Sequence, residues 1–218
     1  MRLGVFGGTF DPIHLGHLRV AEEAGEILGL DRVLFLPSKT PPHKDAGRVT
    51  PPQARLELVR KAVADNPRFE VSGLELERDG PSYSVDTLVE LRRDLGPDDR
   101  LWFLLGVDAF REVGTWCRFP ELFRLADLGV LRRPPPGPYP DPPPGAGTFV
   151  PTPRGYRHDS GREVRFVDVT LLDISSTRVR QILAAGQSLR YLVPAAIRPT
   201  LEEWSHTHPE WFAESAKE

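Results

Sequence analysis

The first thirty-seven residues restrict this chain to a narrow class of folds. Arg2 to Phe6 is a short, mostly apolar run that reads as a buried strand and empties into Gly7-Gly8. From Leu15 the pattern turns helical, with Leu18, Ala21, Ala24 and Leu28 recurring at spacings of three and four, and Gly29 as a stop. Arg32 to Pro37 then supplies a second buried strand. Two buried strands joined by a helix form a parallel βαβ unit with a right-handed crossover.

The rest of the chain repeats the alternation. Thr50-Pro51-Pro52-Gln53 reads as a helix start, Thr50 capping it and Gln53 closing a capping box. Phe69 to Leu76 reads as extended, and Ser84 as the cap of a helix ended by Gly96-Pro97. Leu101 to Leu105, Leu128 to Leu131 and Val164 to Val169 are further strands, with a short helix at Glu121 to Leu125. Ser175 or Ser176 caps a helix closed by Gly186, and a last helix starts near Pro194. The expected class is α/β: a doubly wound, mostly parallel sheet with a small C-terminal helical part.

Composition excludes several alternatives. The 218 residues suffice for one α/β domain with a sizeable core. A net charge of -3 without a dense Lys/Arg run argues against nucleic acid as a partner. Cys117 is the only cysteine, so neither an intrachain disulfide nor an all-cysteine metal site can form. No apolar run approaches a membrane span and no secretory signal is visible, so a cytoplasmic location without membrane contact is expected. Proline is the outlier, with 23 residues in the chain, many of them between Pro134 and Pro153. That segment is too proline-dense for a helix or a central strand and reads as an irregular or mobile insertion. The tail beyond Thr200 is polar, with no clear period.

In a doubly wound sheet, ligands bind outside the carboxyl ends of the strands. Gly7-Gly8 there is either a tight turn needing positive φ or a loop that lets phosphate oxygens approach backbone amides at a helix N-terminus. The absence of Gly-x-Gly-x-x-Gly and of Gly-Lys-Ser/Thr excludes a dinucleotide redox fingerprint and a Walker-type loop. His14 and His17, three apart, can face one side as N–H donors to a phosphate; a metal reading would need a third ligand, and Asp11 is the local candidate. Lys44 lies in a proline-stiffened loop, suited to closing over a triphosphate. Ser175, Ser176, Arg178 and Arg180 form a second anion site at a helix start. Two anion sites at one end of the sheet imply one polyphosphate bridging them. Trp116 offers a flat platform for a heteroaromatic ring, with Tyr83 flanking it and the helix-start amides near Ser84 suited to a carboxylate.

Gly-Gly-Thr-Phe-Asp-Pro followed by His-x-Gly-His resembles the signature of the nucleotidyltransferase superfamily. Pro-Ser-x-x-Pro-Pro-His-Lys from Pro37, Pro-Ser-Tyr-Ser-Val-Asp-Thr-Leu from Pro81, Gly106-Val107-Asp108, Thr115-Trp116 and Asp173-Ile174-Ser175-Ser176-Thr177-x-Val179-Arg180 follow in order. Together they resemble the bacterial nicotinate-nucleotide adenylyltransferases as far as about Pro194. The resemblance implies a single nucleotidyltransferase domain over 1–199, carrying a proline-rich insertion at about 134–161, and a tail at 200–218. It implies transfer of AMP from ATP to nicotinate mononucleotide, with Mg²⁺ held mainly by the ATP phosphates. His14, His17, Lys44 and Arg178 would be catalytic. ATP would also meet Gly7, Gly8, Thr9, Phe10, Gly106, Asp108, Ile174, Ser175 and Ser176. Nicotinate mononucleotide would meet Lys44, Tyr83, Ser84, Thr87 and Trp116. Ser84 stands where the family usually has threonine, and Cys117 where it usually has an aromatic residue. Nicotinamide mononucleotide or phosphopantetheine as acceptor, and a nucleotide sensor without turnover, are the alternative readings. A homo-oligomer is compatible with the sequence.

Overall fold

The computed structural model describes residues 1–39, 50–134 and 137–212. Its strands are β1 (Arg2–Gly8), β2 (Arg32–Pro37), β3 (Phe69–Val71), β4 (Arg100–Gly106), β5 (Asp127–Arg132), β6 (Phe149–Thr152), β7 (Gly155–His158) and β8 (Glu163–Asp168). The helices are α1 (Leu15–Leu28), α2 (Pro52–Val63), α3 (Leu74–Glu77), α4 (Ser84–Arg93), α5 (Val107–Glu112), α6 (Phe119–Leu125), α7 (Ser176–Ala184) and α8 (Arg198–Thr207). The strands form one sheet in the order β3-β2-β1-β4-β5-β8-β7-β6. β1, β4, β5 and β8 pair in parallel, while β6 and β7 are antiparallel to their partners. The order reverses direction at β1 and β4, the doubly wound arrangement expected from the alternation of strands and helices. No helix among the described residues is long and apolar enough to cross a membrane.

By contact density the chain divides into two units. One comprises Met1–Gly7, Val20–Leu34 and Tyr83–Leu171; the other Gly8–Arg19, Phe35–Ser82 and Leu172–Glu218. In the first, Leu101, Trp102 and Leu104 of β4 and Leu128 and Val130 of β5 are almost fully buried, as are Leu28 of α1 and Leu88 of α4. In the second, Leu58 and Val59 of α2 and Phe35 of β2 fill the core, with Phe35 meeting Phe69 edge-on at 5.0 Å between centroids.

Several local expectations need correction. The expected cap at Thr50 and capping box with Gln53 are not formed: Pro51 occupies the N-cap of α2 without a side-chain bond. Tyr83, not Ser84, is the N-cap of α4, and its carbonyl receives the Asp86 and Thr87 amides. Only Phe69–Val71 of the expected extended run is strand, because the Leu74 amide donates to Ser72 Oγ and the chain turns into α3. Part of the proline-rich segment is ordered sheet. β6 and β7 make a hairpin on the last edge of the sheet, where Pro151 needs no ladder donor. His158 anchors the hairpin through its Nε2 to the Ala146 carbonyl at 2.9 Å and its Nδ1 to Ser160 Oγ at 2.7 Å. The polar tail also begins as α8. Its buried Leu201 and the edge-on pair Trp204–Trp211 at 5.5 Å give it a short apolar face. The Gly29 and Gly186 stops both stand at positive φ, of 63° and 65°.

Candidate active site

In the second unit the chain leaves β1 through Gly8-Thr9-Phe10-Asp11-Pro12 and enters α1. Neither Gly7 nor Gly8 has positive φ; the left-handed position of this turn falls on Phe10, at φ 48°. The reading of the two glycines as a positive-φ turn is therefore incorrect. Gly8 is needed for space: a Cβ there would stand 3.0 Å from the Phe10 ring, whereas one at exposed Gly7 would meet nothing within 4 Å.

Phe10 is buried and meets His17 edge-on, 5.2 Å between centroids. His17 in turn stacks on His14 at 3.7 Å, so the two imidazoles share one face as their spacing predicts. The His14 amide donates to His17 Nδ1 at 3.3 Å, which leaves the proton of a neutral His17 on Nε2. Gly16 makes the stack possible. A Cβ there would lie 3.0 Å from His14 Nδ1, so any other residue would push the ring away.

The amino end of α1 is less open than expected, since the Leu15 amide already donates to the Leu192 carbonyl at 3.0 Å. Asp11 accepts from Arg180 Nη1 at 2.9 Å and is 2% exposed. This pair commits Asp11 Oδ2 and Arg180 Nη1 to each other. No group of three His, Cys, Asp or Glu among the described residues is arranged to hold a metal ion.

At α7, Ser175 is the N-cap and accepts from the Arg178 amide at 3.1 Å. Ser176 Oγ donates to the Pro12 carbonyl at 2.9 Å, tying the start of α7 to the loop that leads into the histidines. The Ile174 carbonyl lies in the same place, 3.6 Å from where a Gly16 Cβ would stand. Arg178 is exposed. Lys44 lies outside the described residues.

The first unit carries the other predicted residues. β4 delivers exposed Gly106, and Asp108 in the first turn of α5 pairs with Arg111 at 2.7 Å. Trp116 is half-buried, its ring edge-on to Phe103 at 6.2 Å. Tyr83 is exposed and Thr87 is buried. Arg118, itself at φ 51°, bonds Asp86 of α4 at 2.8 Å and Glu121 of α6 at 2.8 and 2.6 Å, and so braces the Trp116 turn against α4.

A cytidylyltransferase-like family model matches residues 5–182. The chain is 46% identical to the "probable nicotinate-nucleotide adenylyltransferase" of Syntrophotalea carbinolica over 204 residues, covering 90% of this chain and 93% of that one. It is 46% identical to the protein so named in Thermus thermophilus, with 93% and 97% covered. The chain belongs to the nicotinate-nucleotide adenylyltransferase family. The fold agrees with a solved Plasmodium falciparum nicotinic acid mononucleotide adenylyltransferase, at a TM-score of 0.66 and 14% identity over 96% of this chain and 97% of that one.

Two arginines of this family member escape motif reading. Arg55 sits in the apolar stripe of α2 with Leu58, Val59 and Ala62, and an arginine in such a stripe is the only sequence signal it gives. It is fully buried. Arg118 gives no signal beyond its place after Trp116. A cleft of about 480 Å³ in the first unit holds none of the predicted residues. It lies at the amino ends of β4 and β8, and its Arg100 is committed to Asp127 at 2.7 Å.

Proposed function

We propose that the protein transfers AMP from ATP to nicotinate mononucleotide, giving the deamido dinucleotide and pyrophosphate. The observation that carries the chemistry is the Ser176–Pro12 bond. It joins the His14–His17 stack to the Arg178-bearing start of α7 as one polyphosphate-binding assembly.

The acceptor's phosphate oxygen attacks the α-phosphorus of ATP, and the bond to the bridging oxygen breaks as pyrophosphate leaves. The nucleophile is already anionic, so no general base and no covalent enzyme intermediate are needed. Catalysis reduces to in-line positioning and to neutralising charge on the transferring and leaving groups. His17 Nε2–H and Arg178 supply donors to these oxygens. Asp108 takes the ribose side of ATP. Trp116 stacks on the pyridine ring, and the amides at the start of α4 receive its carboxylate. Lys44 completes the phosphate contacts. Mg²⁺ would be held mainly by the ATP phosphate oxygens and water, with few carboxylates from the protein. When bound, it offsets charge on the leaving pyrophosphate.

Helix-start amides favour a carboxylate over a neutral amide. Pyrophosphate release should therefore be assayed with purified protein, ATP, Mg²⁺ and either nicotinate or nicotinamide mononucleotide. A kcat/KM at least about tenfold higher for the acid, the equivalent of about 1.4 kcal/mol, is expected. Equal values would overturn the acceptor assignment, and no turnover with either would overturn the reaction.

A further inference from the structure

We propose that Arg55 is a positioning residue for the phosphate-binding loop, acting through the peptide between Thr9 and Phe10. This rests on the reaction proposed above.

Arg55 carries five N–H donors in a rigid fork. Nε donates to the Thr50 carbonyl at 2.8 Å, Nη1 to the Thr9 carbonyl at 2.5 Å, and Nη2 to the Ser38 and Lys39 carbonyls at 2.7 and 3.2 Å. One side chain thus grips three separate stretches of backbone: the loop after β1, the exit of β2 and the approach to α2. Among the described residues all its acceptors are neutral carbonyls, and no carboxylate bonds to it. A buried guanidinium without a contacting counter-ion is costly. Burial lowers its pKa and the nearby charge of Asp11 opposes that shift. Asp11 is itself paired with Arg180 at 2.9 Å.

The geometry says what the charge and the fork accomplish. In a trans peptide the C=O and the following N–H point in opposite directions. With the Thr9 oxygen held on Arg55, the Phe10 amide points away from Arg55. Phe10 is a bulky residue at φ 48°, a conformation that persists only where its surroundings enforce it. Its ring is the edge on which His17 rests. Arg55 therefore sets Phe10, Phe10 sets His17, and His17 stacks on His14. Lysine retains the charge but has a single nitrogen, which cannot reach all three stretches at once.

The test is Arg55→Lys, with Arg55→Ala assayed with and without millimolar guanidinium, all normalised to folded protein by near-ultraviolet circular dichroism. Arg55→Lys should lower kcat by about 10- to 100-fold, the size expected for misplacement by about 1 Å. The KM for nicotinate mononucleotide should change less than threefold. Guanidinium should restore part of the activity of Arg55→Ala. A purely structural role predicts a lower melting temperature but full kcat per folded molecule and no rescue, and that outcome overturns the proposal. So does a failure of both variants to fold even with guanidinium. Calorimetric binding of a non-hydrolysable ATP analogue separates this from the reaction itself. If the wild type turns over no acceptor yet Arg55→Lys still weakens analogue binding, the reaction assignment has failed and the positioning role stands.

Discussion

The two groups of site residues are held by different means. In the second unit, His14, His17 and the loop before them rest on buried polar structure: Arg55 on four carbonyls, Asp11 on Arg180, Ser176 on Pro12. In the first unit, Asp108, Trp116 and Tyr83 sit on exposed or half-exposed turns, and the ion pairs that brace them face solvent. In the proposed reaction, the residues that would stabilise the transition state are preorganised before the ligand arrives, since that is where reorganisation costs rate. Residues that would recognise a ring and a ribose in the proposed reaction tolerate a softer mounting, because ligand contact completes their order.

The largest expected effect breaks this contrast at its centre. His17→Ala should lower kcat by about 10²- to 10³-fold, as loss of a preorganised donor does, while the Kd of ATP changes only a few-fold. Single-turnover kinetics and calorimetry measure the two separately. An equal loss in both would reduce His17 to ground-state binding.

Arg180→Met tests whether the buried support is real. It leaves Asp11, 2% exposed, without its ion-pair partner. Breaking a fully buried pair costs about 3–5 kcal/mol. Arg180 is partly exposed, so about 2–3 kcal/mol is expected from urea denaturation at pH 7, with Asp11→Asn in the same chain recovering part of it. A loss below about 0.5 kcal/mol, the scale of an ordinary surface substitution, would show that the pair does not hold the loop.

The sheet and the family's sequence motifs were legible for the same reason: strands buried on both faces and glycine-punctuated turns leave short, local patterns. Leu101 to Leu105 could hardly be anything but a central strand. What stayed hidden depends on contacts distant in sequence. The Thr50 cap was lost because the Thr50 carbonyl serves Arg55 and the helix starts one turn position later. The positive φ fell on Phe10 because Arg55 and the His17 ring hold it there, which no glycine pattern announces. The β6–β7 hairpin hid among prolines because an edge strand tolerates Pro151 where a central one would not. Arg180 was read as an anion donor from its place at a helix start. Its partner Asp11 lies 169 residues away.

On the softer side, Trp116→Ala should raise the KM for nicotinate mononucleotide by roughly tenfold and leave the KM for ATP within twofold. A stacked ring contributes about 1–3 kcal/mol. The half-buried indole meets Phe103 only edge-on, so little of the core should follow it. A matching rise in both KM values would mean that the turn, and not the ring face, is what matters.

The smallest expected effect belongs to Arg118→Ala. Its bonds to Asp86 and Glu121 brace the Trp116 turn, but both partners and the guanidinium are well exposed, and exposed pairs are weakened by water and salt. The acceptor kcat/KM should fall by roughly two- to fivefold, and the difference from wild type should shrink further in high salt. The sign of the pH dependence follows from Glu121, whose carboxyl is held below its ordinary value of 4.5 by the hydrogen bond from Arg118. A depressed carboxyl contributes fully above the unfolded value and loses its contribution as pH falls through the folded one. The Arg118→Ala penalty should thus be constant across neutral pH and fade only in acid. A penalty that grows toward pH 8, or one as large as that of Trp116→Ala, would place Arg118 in direct contact with the acceptor and would remove the contrast between the two mountings.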